Sequence, residues 1–217
     1  MATNTNRIIN PAVPNLPLGT QEYERRYQDQ FTNVLRLYFN QLRNALGELF
    51  SGAGGKYIAF PYGAFSSGVD QTTTANTATL MTLDTTDFKN GVSIDSSKIT
   101  VENAGIYNLQ FSAQFQNTDN QIQDISIWLR QNGTNIPGST GLVSIPARKS
   151  ASAGEEAHEI VGWNYYVSMN ANDYIEIYWS ATLASVTIQA YPTSVSPVRP
   201  STQSVVATLS FVSALSA

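Results

Sequence analysis

The sequence contains no cysteine and a single histidine, His158. Disulfides and thiolate chemistry are therefore absent, and a zinc site of the usual Cys and His type lacks its ligands. Secreted domains of this size often carry disulfides, so their absence fits assembly in a reducing cytoplasm. Charge is also scarce: Asp, Glu, Lys and Arg together make up 13% of 217 residues, about half the usual globular share. The net charge is −4, and no basic cluster marks a nucleic-acid-binding face. Long apolar runs are missing too. The longest cluster, Val34 to Phe39, is interrupted by Arg36, and no stretch is long enough to span a bilayer. Met1 to Leu18 is polar and rich in proline without an apolar core segment, which does not read as a signal peptide.

Apolar residues still account for 42% of the chain and aromatics for 11%, enough to bury a core. Thr, Ser, Asn and Gln replace the missing charges. A surface of short polar side chains favours β structure and extensive contact with other chains. Residues 1–19 read as an extended arm in which Pro11, Pro14 and Pro17 fall three apart, the spacing of a polyproline strand lying in a groove. Residues 20–50 read as one helix, with Thr20 as N-cap and Glu22 and Glu24 in the first turn. Phe31, Leu35, Tyr38, Leu42, Ala45 and Leu49 form a heptad seam, which Val34, Leu37, Phe39 and Leu46 widen. A helix this apolar needs partners on more than one side, either its own domain or, on the favoured reading, further copies of itself or a large assembly. Ser51 to Gly55 ends the helix, and residues 51–56 read as a glycine-rich hinge.

From Tyr57 onward the helical period gives way to alternation. Tyr107 to Phe115, Val161 to Met169, Ile175 to Trp179 and Val205 to Phe211 each alternate apolar with polar residues, the pattern of half-buried antiparallel strands. Asn90-Gly91, Asn132-Gly133, Pro137-Gly138 and Asn170 to Asp173 supply turns. Pro192, Pro197 and Pro200 mark a loop before the last strand. Eight to ten strands over residues 57–217 predict an antiparallel sandwich or jelly roll.

Specific residues carry a family likeness. Val101-Glu-Asn-Ala-Gly-Ile-Tyr-Asn-Leu-Gln-Phe111 resembles the strand that opens with Ala-Gly-x-Tyr in the C1q and tumour-necrosis-factor-like jelly rolls. Trp128 to Gly133 resembles the hairpin after it. Tyr165 to Ile177 resembles a later hairpin of that family, with Asn172 where glycine is usual, and Thr208 to Val212 resembles the closing strand. A second likeness lies further upstream. Asn15-Leu-Pro-Leu-Gly-Thr-Gln-Glu-Tyr-Glu-Arg-Arg-Tyr27, followed by Phe31 to Gln41, resembles the N-terminal segment of virion proteins from marine and cyanobacterial tailed phages, where it precedes assorted β heads. The first resemblance implies a homotrimeric head. The second implies an attachment module.

Candidate chemistry is thin. His158, in Glu155-Glu-Ala-His-Glu159, reads as a solvated loop residue before a strand, and no serine sits in a Gly-x-Ser-x-Gly elbow that would make it part of a triad. Glu155, Glu156 and Glu159 are loop neighbours rather than two carboxylates facing each other across a cleft. Asp173 reads as a turn residue that binds backbone amides. Asp84, Asp87 and Asp95 do not have the spacing of a calcium loop. Trp128, Trp163, Trp179 and Tyr191 could stack on sugar rings, but core and interface use aromatics more commonly. Gly141 to Ala153 reads as a small-residue loop with Arg148 and Lys149 at an exposed tip.

Taken together, these features lead to the expectation of a non-enzymatic phage structural protein without metal or cofactor, located in the virion and assembled in a bacterial cytoplasm. It is expected to decorate or cement the capsid or form a head fibre, as a homotrimer. Residues 1–50 would bind the major capsid protein or another virion protein through Phe31, Val34, Leu35, Leu37, Tyr38, Phe39, Leu42 and Leu49. Tyr166, Tyr174 and Tyr178 are expected at the head interface, because strands with aromatics on both faces carry more apolar surface than one sandwich hides. A glycan ligand is allowed for; nucleic acid and membrane are not expected. The alternative is the receptor-binding tip of a tail fibre recognising a host glycan.

Overall fold

The computed structural model describes residues 11–19, 22–50, 60–150 and 155–215, apart from the Glu48 side chain. The chain divides into two compact units, Met1–Ala59 and Phe60–Ala217.

In the first unit, residues 11–19 form neither helix nor strand. Pro11, Pro14 and Pro17 are each half-buried while the residues between them are exposed. The three-residue period expected of a polyproline arm therefore reappears as a period in burial. One helix follows, α1 (Arg25–Leu49). It starts later than its expected first residue, after a bend at Glu22. Glu24 supplies the carbonyl that accepts the Gln28 N–H at 3.1 Å. Glu22 and Glu24 thus precede the first turn instead of occupying it, and Thr20 lies outside the described residues. The delay has a local cause. The apolar stripe begins only with Tyr27, whose ring stacks on Phe31 one turn on, at 6.0 Å between centroids. The hinge assigned to residues 51–56 also falls outside the described residues.

The second unit is antiparallel β structure. Its strands are β1 (Tyr62–Ser67), β2 (Thr79–Leu80), β3 (Thr85–Asn90), β4 (Val92–Asp95), β5 (Lys98–Val101), β6 (Gly105–Asn117), β7 (Gln123–Gln131) and β8 (Thr134–Asn135). They continue as β9 (Gly141–Ile145), β10 (Ala157–Met169), β11 (Tyr174–Ala181), β12 (Val186–Ile188), β13 (Ser194–Val195), β14 (Val198–Arg199) and β15 (Val205–Ser213). The fifteen strands among the described residues exceed the eight to ten expected; ten of them have four or more residues. The other five span two or three residues, too few for alternation to register in sequence. β9 corrects the reading of residues 141–153 as a loop: it pairs with β7, Gly141 opposite Ile127.

One sheet runs β10-β6-β15-β1-β3 with β12 against β6; the other runs β4-β5-β11-β7-β8 with β2 on β11 and β9 on β7. β13 and β14 form a separate ribbon in the Pro192 to Pro200 loop. Every second residue of β6, from Gly105 to Asn117, is buried. Inward residues of both sheets enter one core, in which Phe115 of the first sheet meets Trp179 of the second edge to face at 5.5 Å. Trp179, Ile175 and Ile177 are fully buried. They form the inward face of β11, while Tyr174 and Tyr178 stand on its opposite face and are half-buried. Between β5 and β6 the Tyr107 hydroxyl donates to the Asn103 carbonyl at 2.7 Å, and burial raises its pKa above the ordinary tyrosine value. No helix among the described residues is long and apolar enough to cross a membrane.

Candidate functional site

The helix comes first among the candidates. Phe31, Val34, Leu35, Tyr38, Leu42 and Leu49 are half-buried, as is Ala45, while Leu37 and Phe39 are more than half exposed. Leu46 and Phe50 are exposed as well. Two stripes therefore differ in environment. The seam is partly covered within the isolated chain, and a second stripe faces solvent. Phe39, Leu42, Leu46 and Phe50, spaced three to four apart, line an almost wholly apolar groove with Arg43 and Gly47. Leu42 belongs to both stripes.

The expected head interface residues fall on two sheets. Tyr166 projects from β10 of the first sheet, 59% exposed. Tyr174 and Tyr178 project from β11 of the second and are half-buried beneath their neighbours. Lys98 lies 4.6 Å from the Tyr174 ring centroid, and Arg130 lies 3.9 Å from that of Tyr178. Trp128 stacks on Tyr178 at 6.0 Å. Asn135 locks this ladder, its side-chain oxygen accepting from Trp128 Nε1 at 2.9 Å and Arg130 Nε at 2.7 Å. Register explains the assembly: Trp128 and Tyr178 are direct cross-strand partners, and Tyr174 faces Thr100 on β5. The ring contacts of Lys98 and Arg130 were not visible in sequence, since pairing between distant strands creates them, whereas Asn135 acts across the local β7–β8 hairpin.

The first sheet presents a different outer surface. Ile160, Gly162, Asn164 and Tyr166 of β10, Asn108, Gln110, Ser112 and Gln114 of β6, and Val206, Thr208 and Ser210 of β15 lie side by side by register. None carries a formal charge. Gly162 allows the close approach of β10 to β6: a Cβ there would overlap the Phe111 carbonyl oxygen and lie 3.0 Å from Ser112 Cα.

His158 is not a loop residue. It lies within β10, opposite Gln116, because the strand extends four residues beyond the alternating segment. Its Nδ1 is 3.2 Å from the Tyr191 hydroxyl, and the two rings meet edge to face at 5.6 Å. Arg199 lies 5.3 Å from the Tyr191 centroid. Burial first, then the charges of Asp70 and Glu156, raise the Tyr191 pKa, opposed by Arg199, so the phenol stays protonated. Of the other aromatics singled out, Trp179 is core, and Trp163 packs on Phe111 at 4.7 Å and against Gly141.

The acidic residues take structural positions. Asp84 accepts from the Ser67 and Thr85 hydroxyls at 3.1 and 2.8 Å, and Asp87 accepts from the Ser66 hydroxyl at 3.1 Å. Among the described residues no group of three or more His, Asp or Glu side chains could hold a metal ion. Asp173 accepts from the Asn170 N–H, Asn132 Nδ2 and Gln131 Nε2 at 2.8, 2.8 and 3.1 Å. It is a turn clamp, as its position suggested, and these bonds hold its carboxyl below the usual range, Asn132 contributing most. Compared with models of known protein families and with curated proteins, the chain matches none.

Proposed function

We propose that the chain is a structural component of a tailed-phage particle, a homotrimer whose residues 1–50 attach it to another virion protein. The observation that carries this reading is the contrast between the two units. The second has a core of its own, with Phe65, Phe115 and Trp179 fully buried and exposed apolar side chains such as Phe88 and Leu142 on separate strands, whereas α1 and the residue after it line up Phe39, Leu46 and Phe50, all exposed, along one apolar groove beside a half-covered seam. An apolar stripe kept in water by a long helix is a docking surface in want of a partner. The upstream likeness to phage attachment segments covers Asn15 to Tyr27 and Phe31 to Gln41, the first part of the same helix and the arm before it.

For the head we propose a jelly roll. The chain passes from β5 in one sheet to β6 in the other, returns on β7 and β9, and crosses again for β10, β11 and β15. Repeated crossing between two antiparallel sheets is how Greek-key connections build such a fold. A threefold ring requires two different patches on each subunit. The uncharged face around Tyr166 and the ladder around Tyr178 are two such patches on different sheets. Sedimentation of the full chain tests the oligomer: a mass three times 23.6 kDa agrees with the proposal, and a monomer at micromolar concentration refutes it. Mass-spectrometric copy number in purified particles then separates a capsid decoration, in hundreds of copies, from a tail component, in few.

We also propose that the protein performs no hydrolysis. Among the described residues the hydrogen-bond contact of His158 is with the Tyr191 hydroxyl, a phenol and not a serine nucleophile.

A further inference from the structure

Three separate stretches of the second unit, residues 68–70, 190–192 and 201–203, enclose a cleft of about 560 Å³. It is tied together by the backbone. Tyr191 and Thr202 exchange both N–H to carbonyl bonds, at 3.0 and 2.8 Å, and Gln71 and Ile188 do the same at 2.7 and 2.9 Å. The Ser204 N–H donates to the Ser67 carbonyl at 2.9 Å. The walls are thus fixed without a ligand, which lowers the ordering cost of binding one.

The lining is mixed. Tyr191 contributes an aromatic ring, Val69 and Pro192 contribute apolar surface, and Asp70, Ser201, Thr202 and Gln203 contribute polar groups. Asp70 is oriented from behind: Oδ1 accepts the Ala190 N–H at 2.9 Å. Gln189, with its amide nitrogen towards Asp70, donates to both carboxylate oxygens at 3.1 and 3.0 Å and accepts from the Thr187 hydroxyl at 2.9 Å. Arg199 is likewise fixed, donating from Nη1 to the Pro192 carbonyl at 3.0 Å. Gly68 keeps one wall low, since a Cβ there would stand 3.1 Å from Gln203 Oε1.

We infer that this cleft is a binding site for a neutral pyranose sugar. A pyranose presents an apolar face of C–H groups suited to an aromatic ring, and vicinal hydroxyls suited to a carboxylate beside an amide. The volume falls in the ordinary range for small-ligand sites, roughly 300–1,000 Å³. Asp70 is the one charged side chain in the lining, with Arg199 5.3 Å from the Tyr191 ring centroid, and a carboxylate in the lining disfavours an acidic sugar. The inference is independent of where the chain sits in a particle, since it rests on the second unit alone.

Titration of the full chain with methyl glucoside, methyl galactoside, methyl mannoside and glucuronic acid, followed by NMR, tests it. Saturable binding of at least one neutral glycoside is expected, with glucuronic acid at least tenfold weaker. Gln203→Ala, at an exposed position, is expected to weaken that binding at least tenfold without moving the thermal midpoint, and Tyr191→Ala to weaken it further. No saturable binding to any neutral glycoside overturns the inference. So does glucuronic acid binding as tightly, or binding that Gln203→Ala leaves unchanged. Should Tyr191→Ala fail to fold, Gln203→Ala decides alone.

Discussion

Asp173 and Asn132 stand on turns 41 residues apart and bind each other across 2.8 Å, Asn132 Nδ2 donating to Asp173 Oδ1. The same Asn132 accepts the Tyr174 N–H at 3.0 Å, so each turn fixes the other. Removing the charge in Asp173→Asn should cost about 1–3 kcal/mol at neutral pH, the range for a lost acceptor of several bonds. The pH dependence has a definite sign. A carboxyl held below its usual range contributes stability above the unfolded value of about 3.9 and loses it as the pH falls through the lower folded value. Thermal midpoints from about pH 5 to about pH 2 should therefore fall more steeply in the native protein than in Asp173→Asn.

Asn172 adopts φ +68°, a left-handed conformation that asparagine tolerates and β-carbon-bearing residues generally resist. The substitution Asn172→Ala should cost about 1–2 kcal/mol, whereas Asn172→Gly should be close to neutral. Chemical denaturation of the two variants separates them. Equal losses would show that the side chain, not the backbone angle, matters here.

Gly162 sets the spacing of two thirteen-residue strands. Gly162→Ala places a methyl group against the Phe111 carbonyl, so β10 must move away from β6. A destabilisation of about 1–3 kcal/mol, the usual cost of overpacking, is expected in urea denaturation. A larger loss is expected for Gly162→Val.

On α1, Phe39→Ser combined with Leu46→Ser removes two exposed side chains and no core contact. The thermal midpoint should be unchanged. Burial of such side chains on docking contributes about 1.5–3 kcal/mol each, so affinity for the particle should fall by about a hundredfold or more. Co-sedimentation of the variant with particles measures this.

The long strands were legible because each has one face in the core, which imposes alternation on β6, β10, β11 and β15. Asn172 was legible for a related reason: glycine is the default at a left-handed turn position, and asparagine is its usual substitute. The short strands β2, β8 and β12 were not, since pairing with a longer neighbour defines them. The helix seam was visible as a heptad, but a heptad alone does not separate cover from the chain's own residues from cover by a partner. The cleft was invisible apart from Tyr191. Asp70 and Ala190, joined by one hydrogen bond, are 120 residues apart, and no local pattern links them. His158 was misplaced because its strand begins with Ala157-His-Glu-Ile160, where polar residues on both faces hide the period.

The central claim is that residues 1–50 attach an independently folded head to a particle. The most direct test compares the full chain with a variant lacking residues 1–50 for binding to particles stripped of this protein. The account predicts that the shortened chain stays folded, with the same head melting transition, and no longer co-sediments with the particles. A shortened chain that decorates the particles to full occupancy would contradict it and place the contact in the head.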